Sequence, residues 1–175
     1  MKKNIFYLII LLFFTFIFTL FYVGLNKPNF YTPKEIKNKS LDAFNSTGLF
    51  SNEKYNSKDI IESNKFTLIN IWSSWCAPCR LEHSALMDLS KETNLNIIGL
   101  NYKDKKKNAI KFLNEMGNPY DISLSDTTGT NSVIFGVYGV PESLLIDKNY
   151  KIVRKFIGPL NENDYEDILK LVNEK

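Results

Sequence analysis

The sequence predicts an α/β domain, a central mixed sheet flanked by helices, that follows an apolar helix at the amino terminus. From residue 41 onward, short apolar segments rich in β-forming residues alternate with segments of helical periodicity. Two β-like segments near the carboxyl end are separated by a short turn, and residues 5–23 form an apolar run outside this pattern. The predicted organisation is a transmembrane helix over 1–25, a linker over 26–40 and a folded domain over 41–175.

The first 25 residues are predicted to anchor the chain in a membrane. Only Thr15 and Thr19 interrupt the apolar run of residues 5–23, and a helix of that length spans roughly 28 Å, close to the hydrocarbon thickness of a bilayer. No cleavage site of small residues follows the run, so we expect a retained signal anchor. Lysines flank it on both sides and do not fix its orientation, but large domains are translocated largely regardless of charge. We therefore place the domain outside the cytoplasmic membrane.

Composition narrows the class of partner. Residues 24–40 contain two prolines, mixed charge and little periodicity, which is typical of a tether. The formal net charge is +3, and setting aside Lys2 and Lys3 leaves 20 basic against 19 acidic residues. Nucleic-acid binding needs a concentrated basic face, so the near-neutral domain is expected to have no nucleic-acid partner.

The first half of the domain is predicted to begin with a strand at Phe66–Trp72, a nearly continuous apolar run typical of strands buried on both faces. A helix is expected over residues 79–93, in which Leu81, Ala85, Leu86 and Leu89 fall on one stripe. A second buried strand, "LNIIGLNY", follows over residues 95–102.

The second half is predicted to begin with an amphipathic helix in residues 106–117, stopped by Gly117. Residues 143–147 and 151–158 read as two strands of a hairpin. A final helix over residues 161–172 is capped by Asn161 or Asn163 and has acidic residues in its first turn.

The only two cysteines, Cys76 and Cys79, are separated by two residues, a spacing that suits zinc binding, a structural disulfide or a redox couple. A closed zinc site needs four cysteine or histidine ligands, and the chain has only these two and His83. A disulfide between Cys76 and Cys79 closes a very small loop and would stabilise the fold little. The redox couple is therefore favoured, with no metal expected.

The residues around the cysteines also favour redox chemistry. A strand delivers Cys76 to the start of a helix, where unpaired N–H groups and the helix dipole stabilise a thiolate. Pro78 suits a first helical turn. Cys79 falls one turn further in, where we expect it to be the more buried cysteine and to resolve a mixed disulfide formed at Cys76.

"WCAPC" after an apolar strand resembles the active site of the thioredoxin fold, and "GVP" at residues 139–141 resembles its proline loop. This resemblance implies a thioredoxin-like fold in which Pro141 is in cis beside the disulfide. It also implies that Val140 offers backbone hydrogen bonds to an incoming cysteine-containing peptide.

Four strings narrow the resemblance to one family: "WCAPCRLEH", "GLNYKDKKKNAIKFLNEMGNPY", "FGVYGVPESLLIDKNYKI" and "GPLN". Together they resemble the CcmG/DsbE family, the membrane-anchored thioredoxin-like proteins of cytochrome c biogenesis, from about Leu41 to the carboxyl end.

Three polar residues bear on the direction of electron flow. Asn70 stands where cytosolic thioredoxins have a buried aspartate, and an amide cannot titrate. Glu82 follows Cys79 by three residues, and Glu142 comes directly after Pro141, so both are expected near the thiols. Anions raise the pKa of a neighbouring thiol and bias the couple away from strongly oxidising behaviour. The alternative for each glutamate is a solvated surface charge.

The resemblance implies a thiol:disulfide oxidoreductase that acts as a reductant in the periplasm. It would pass electrons to the haem-attachment cysteines of apocytochrome c, directly or through a partner thiol protein. A DsbD-type membrane electron donor would re-reduce it. Cys76 would attack and Cys79 resolve, while Glu82 and Glu142 tune the thiols or relay protons. No cofactor is expected beyond the redox-active Cys76–Cys79 disulfide.

Three alternatives stay open at this stage: a general extracytoplasmic disulfide reductant, a copper metallochaperone of the same fold, and a redox-independent scaffold. Copper chaperones of this fold carry C-x-x-x-C and a distant histidine, whereas His83 here is local. Trp75 is expected to pack over the active site and shape the docking surface, Trp72 to lie in the core, and His83 to be a partly exposed helix residue. Tyr138 would either face a partner or fill space near the proline loop.

Overall fold

The computed structural model describes residues 2–25, 39–61 and 65–173. The chain divides into one unit within residues 1–35 and another within residues 36–175. Most of the predicted linker, residues 26–38, lies outside the described residues, so its boundaries stay a prediction.

The amino-terminal unit is helix α1, Lys2–Leu25. Its segment Lys3–Gly24 has a mean hydropathy of 2.6 over the best window and is long and apolar enough to cross a membrane. The Thr15 hydroxyl donates to the Leu12 carbonyl at 2.9 Å, and the Thr19 hydroxyl donates to the Thr15 carbonyl at 2.7 Å. Both polar side chains are thus satisfied within the helix.

The second unit is a seven-stranded mixed sheet with helices, as predicted. Its strands are β1 Asn45–Gly48, β2 Lys54–Asn56, β3 Phe66–Trp72, β4 Leu95–Tyr102, β5 Ile122–Asp126, β6 Glu142–Ile146 and β7 Ile152–Ile157. Its helices are α2 Ser57–Ile60, α3 Ala77–Leu81, α4 His83–Leu89, α5 Lys106–Met116, α6 Thr130–Ile134 and α7 Glu162–Asn173.

The strand order is β2-β1-β5-β4-β3-β6-β7. Strands β3, β4 and β5 are parallel neighbours, while β6 runs antiparallel to β3. The carboxyl ends of β3 and β4 therefore meet at one edge of the sheet, and the amino end of β6 lies at the same edge because Ile71 pairs with Glu142. This edge brings together the cysteine turn and the proline loop.

Strand β3 is buried on both faces because its side chains alternate between two cores. Leu68 and Trp72 belong to one cluster of buried residues, which also contains the two cysteines. Ile69 and Ile71 belong to the other cluster. The prediction that Trp72 lies in the core is confirmed, since it is 1% exposed.

The structure corrects one predicted helix and decides which of two residues caps another. The single helix predicted over residues 79–93 is two helices, α3 and α4, separated at Glu82 and ending at Leu89. Cys76 caps α3 and Pro78 lies in its first turn, as predicted. At α7, Asn161 is the cap, because its side-chain oxygen accepts from the backbone N–H groups of residues 163 and 164.

The sequence reading missed five short elements, namely β1, β2, α2, β5 and α6. Their sequences, such as "NSTG" in β1 and "KYN" in β2, contain no apolar run. Strand β1 is formed by pairing with β2 and β5 rather than by its own propensity.

Candidate active site

Cys76 and Cys79 form a disulfide, with their Cα atoms 5.3 Å apart, so the structure shows the oxidised protein. Cys76 caps α3, and its sulfur accepts a hydrogen bond from the Cys79 N–H at 3.1 Å. Pro78 occupies the first turn. Both cysteines are 3% exposed, so the prediction that Cys79 is the more buried one is wrong. The two sulfurs share one bond and pack in the same cluster of buried residues.

Asp104 holds the turn that leads into the cysteines, and the sequence reading missed it. Its carboxylate accepts from the backbone N–H of Ser74 at 2.6 Å, from the Ser74 hydroxyl at 3.0 Å and from the Lys105 N–H at 2.7 Å. The carboxyl ends of parallel β3 and β4 lie side by side, so residues just after β4 reach the turn after β3. That topological rule could have identified Asp104, which lies two residues after the end of β4.

Glu82 is buried at the end of α3, three residues after Cys79. Glu82 is only 1% exposed, so the alternative of a solvated surface charge is wrong. One carboxylate oxygen accepts from the Asn70 side-chain amide at 2.9 Å, and the other accepts from the Leu160 N–H at 2.9 Å. Burial raises the pKa of Glu82 to about 7, and the two hydrogen bonds only partly oppose this rise. The carboxyl can therefore take up or release a proton near neutral pH.

Asn70 orients the Glu82 carboxyl through a side-chain hydrogen bond. It is completely buried on β3. Its side-chain oxygen accepts from the Tyr120 hydroxyl at 2.8 Å, and its amide nitrogen donates to Glu82 and to the Ser143 hydroxyl, the latter at 3.0 Å. Burial raises the pKa of Tyr120 well above its usual range, so this hydroxyl keeps its proton. Asn70 thus links Glu82, Ser143 and Tyr120 without titrating itself.

Glu142 is also buried, at 2% exposed, which excludes the surface-charge alternative. It was expected beside the thiols with Glu82, but its side chain points to the other face of the sheet. Directly opposite residues in an antiparallel pair share a face; Glu142 pairs with Ile71, whereas Asn70, which contacts Glu82, pairs with Ser143. Register therefore separates the two glutamates.

The Glu142 carboxylate instead organises the proline loop, residues 136–141. One oxygen accepts from the backbone N–H groups of Tyr138 at 2.8 Å and Gly139 at 3.0 Å. The other lies 2.8 Å from Nζ of Lys155, an ion-pair distance without the angle of a hydrogen bond. These contacts indicate that Glu142 shapes the loop and acts on the thiols at most through it.

The Val140–Pro141 peptide bond is cis, as the resemblance implied. Val140 is partly buried and packs against the cluster that contains both cysteines. Among the described residues, its backbone N–H and carbonyl make no hydrogen bond with another part of the chain. Their pairing with an incoming peptide, which the resemblance implied, stays a prediction.

Three aromatic residues around the site have different environments. Trp75 is 59% exposed, with its indole N–H donating to the Lys103 carbonyl at 3.2 Å. The side chain is therefore largely at the surface, and its packing over the active site stays a prediction. Tyr138 is 67% exposed, so it faces outward instead of filling space. His83 is only 3% exposed, and the prediction that it is partly exposed is wrong.

The buried His83 ring is held by two contacts. Its nitrogen Nε2 donates to the Gly117 carbonyl at 3.1 Å, and the ring packs against Phe112. Burial lowers the pKa of His83. The described residues contain no group of three or more histidine, cysteine, aspartate or glutamate side chains that could hold a metal ion.

Comparison with known proteins agrees with this geometry. The Redoxin family model matches residues 37–169. DsbE of Haemophilus influenzae, a thiol:disulfide interchange protein, is 37% identical over 137 residues, which cover 78% of this chain and 75% of that protein. The chain belongs to the DsbE family.

Other DsbE-family relatives match at a similar level. DsbE of Escherichia coli is 38% identical over 137 residues, covering 78% of this chain and 74% of its own length. The thiol:disulfide interchange protein CycY of Rhizobium leguminosarum is 46% identical over 101 residues; that match covers 58% of this chain and about half, 54%, of CycY.

Solved structures confirm the fold of this DsbE-family chain. A secreted thiol-disulfide isomerase from Corynebacterium glutamicum has a TM-score of 0.70 at 24% identity, covering 85% of this chain and 96% of that one. A thiol-disulfide oxidoreductase from Bacteroides fragilis has a TM-score of 0.66 at 21% identity, covering 76% and 99%. The predicted thioredoxin-like fold and the predicted class, a thiol:disulfide oxidoreductase, are both confirmed.

Proposed function

We propose that this DsbE-family protein is a membrane-tethered reductant of cytochrome c maturation, acting on the periplasmic side of the cytoplasmic membrane. It would keep the haem-attachment cysteines of apocytochrome c reduced, either directly or through a partner thiol protein. The observation that carries the proposal is the buried Glu82 carboxyl one turn beyond Cys79, with a pKa near neutrality. The apolar helix α1 supports the tether, and the names of the DsbE and CycY relatives support thiol:disulfide exchange.

The first step is attack by the reduced protein. The Cys76 thiolate attacks one sulfur of a substrate disulfide, so that a bond between Cys76 and the substrate forms while the substrate disulfide breaks. The released substrate sulfur takes up a proton. The free backbone groups of Val140 would pair with the substrate chain during this attack.

The second step releases the product. Cys79 gives its proton to Glu82, whose pKa of about 7 suits a general base near neutral pH. The Cys79 thiolate then attacks the Cys76 sulfur, forming the Cys76–Cys79 disulfide seen in the structure while the bond between Cys76 and the substrate breaks. The leaving substrate sulfur takes up a proton and becomes the second substrate thiol. Two electrons pass to the substrate, and a DsbD-type membrane donor would return them with two protons.

The local electrostatics support this direction of electron flow. An ionised Glu82 near the cysteines disfavours a thiolate, and the Asp104 carboxylate at the cysteine turn adds a second negative charge. A dithiol that is not stabilised as a thiolate gives its electrons up more readily. The site therefore suits a reductant rather than a strong oxidant.

Substrate trapping tests the proposal. A Cys79→Ala variant retains Cys76 and cannot resolve the mixed disulfide, so it should accumulate covalent complexes with its partners. We expect apocytochrome c or thiol proteins of its assembly among them, and none with the matched Cys76→Ala variant. Recovery of unrelated envelope proteins alone would instead indicate a general reductant.

Full cytochrome c maturation in a Cys76→Ser/Cys79→Ser strain would support a redox-independent scaffold, provided no thiols are supplied and the envelope oxidant is present.

A further inference from the structure

Lys155 on β7 is a buried lysine beneath the proline loop. It lies opposite Leu144 on β6, on the face of the sheet to which Glu142 also points. Its side chain is only 8% exposed. Lysine is almost never buried unless its charge is paired, so the burial of this ammonium group has to be explained by its contacts.

The Lys155 ammonium contacts the first residue of the proline loop and the glutamate that follows the loop. Nζ donates to the Gly136 carbonyl at 2.6 Å and lies 2.8 Å from a carboxylate oxygen of Glu142. It also lies 5.0 Å from the ring centroid of Tyr138, within the range of a cation–π contact. Because Glu142 itself accepts from the N–H groups of Tyr138 and Gly139, one buried ammonium ties together the start, the middle and the end of the loop.

We propose that Lys155 is a positioning residue for substrate docking, acting through Glu142 on the loop that presents Val140. The inference rests on the proposed function in one respect, namely that a cysteine-containing peptide docks on this loop. Removing the lysine leaves the buried Glu142 carboxylate with its two backbone N–H donors but without a counter-charge, and it leaves the Gly136 carbonyl without its donor. The loop then has to move to hydrate that carboxylate, and the backbone groups of Val140 move with it.

The disulfide itself is held by other contacts. The cysteine turn is fixed by Asp104, and Glu82 is fixed by Asn70 and Leu160 on the opposite face of the sheet. Lys155 takes no part in these hydrogen bonds. Its loss should therefore slow exchange with peptides while leaving the intrinsic reactivity of the sulfurs unchanged.

Two kinetic measurements on the full chain test the proposal. One follows reduction of the Cys76–Cys79 disulfide by dithiothreitol, which is too small to need the loop. The other follows oxidation of the reduced protein by a disulfide-containing C-x-x-C-H peptide and by a scrambled peptide that keeps the same two cysteines. The variant is Lys155→Met, and the matched control is Lys151→Met, which changes an exposed lysine just before the same strand.

For Lys155→Met we expect the peptide rates to fall about 10-fold to 100-fold, the range over which misplaced reacting groups lose rate. The dithiothreitol rate and the reduction potential should match those of wild type, and Lys151→Met should match wild type throughout. Wild-type peptide rates in Lys155→Met, or an equal loss with peptide and dithiothreitol, would overturn the proposal.

A second variant covers the case in which Lys155→Met does not fold. Lys155→Met/Glu142→Gln removes both buried charges together and should fold. The Gly136 carbonyl at the start of the loop still loses its Lys155 donor, so this variant should react slowly with peptides and normally with dithiothreitol. Normal peptide rates in this double variant would overturn the proposal. If wild type shows no preference for the C-x-x-C-H peptide, the cytochrome assignment fails, while the loss in Lys155→Met relative to wild type still reports on docking.

Discussion

Replacing Glu82 by glutamine should remove a specific pH dependence of stability. The pKa of this carboxyl is raised from 4.5 to about 7 in the folded protein, so the folded state holds its proton more tightly than the unfolded state does. That stabilisation is fully present below pH 4.5 and is lost as the pH rises through 7. The difference between the two pKa values corresponds to about 3 kcal/mol.

Urea denaturation of the oxidised protein between pH 5 and pH 8 measures this effect. The wild type should lose about 2–3 kcal/mol more of its free energy of unfolding over this range than Glu82→Gln does. Glutamine cannot accept both hydrogen bonds, which lowers stability by a roughly constant amount of about 1–3 kcal/mol at every pH. Glu115→Gln is the matched control, because that carboxylate is 55% exposed, and it should behave as wild type does. A wild-type minus Glu82→Gln difference that does not change with pH would refute the reasoning.

Two further substitutions test the residues around the site. Tyr120→Phe leaves the buried Asn70 oxygen without its donor, so we expect urea denaturation to show a free energy of unfolding lower by about 1–3 kcal/mol. A loss below roughly 0.5 kcal/mol, the scale of neutral surface changes, would mean that the bond does not orient Asn70. Asp104→Ala removes the acceptor of two backbone N–H groups at the cysteine turn. It should cost about 1–2 kcal/mol and slow the reaction of Cys76 with peptide disulfides, and unchanged kinetics would contradict the positioning role of Asp104.

The strongest elements of the fold follow from local patterns. Strands β3 and β4 are continuous apolar runs, and α5 and α7 have helical periodicity, so each is visible in the sequence. Strand β1 is different, because "NSTG" becomes a strand only through its partners on both sides. Short polar strands of this kind depend on tertiary context, which a window of sequence does not contain.

The chemistry of the site was more predictable than its geometry. The C-x-x-C spacing and the "GVP" string indicate a redox pair and a proline loop. The burial of Glu82 depends on the backbone of Leu160, 78 residues away along the chain. The side of the sheet taken by Glu142 depends on the register between β3 and β6. Long-range packing and strand register determine the positions of both glutamates. Sequence spacing alone therefore predicted the two glutamates together, whereas the fold separates them.

The equilibrium reduction potential of the Cys76–Cys79 couple decides between a reductant and an oxidant. It can be measured by equilibrating the protein with glutathione or thioredoxin buffers and quantifying the free thiols. A reductant requires a value near those of glutaredoxins and thioredoxin, about −200 to −270 mV. A value near about −120 mV, as in a dedicated oxidant, would contradict the proposed direction of electron flow.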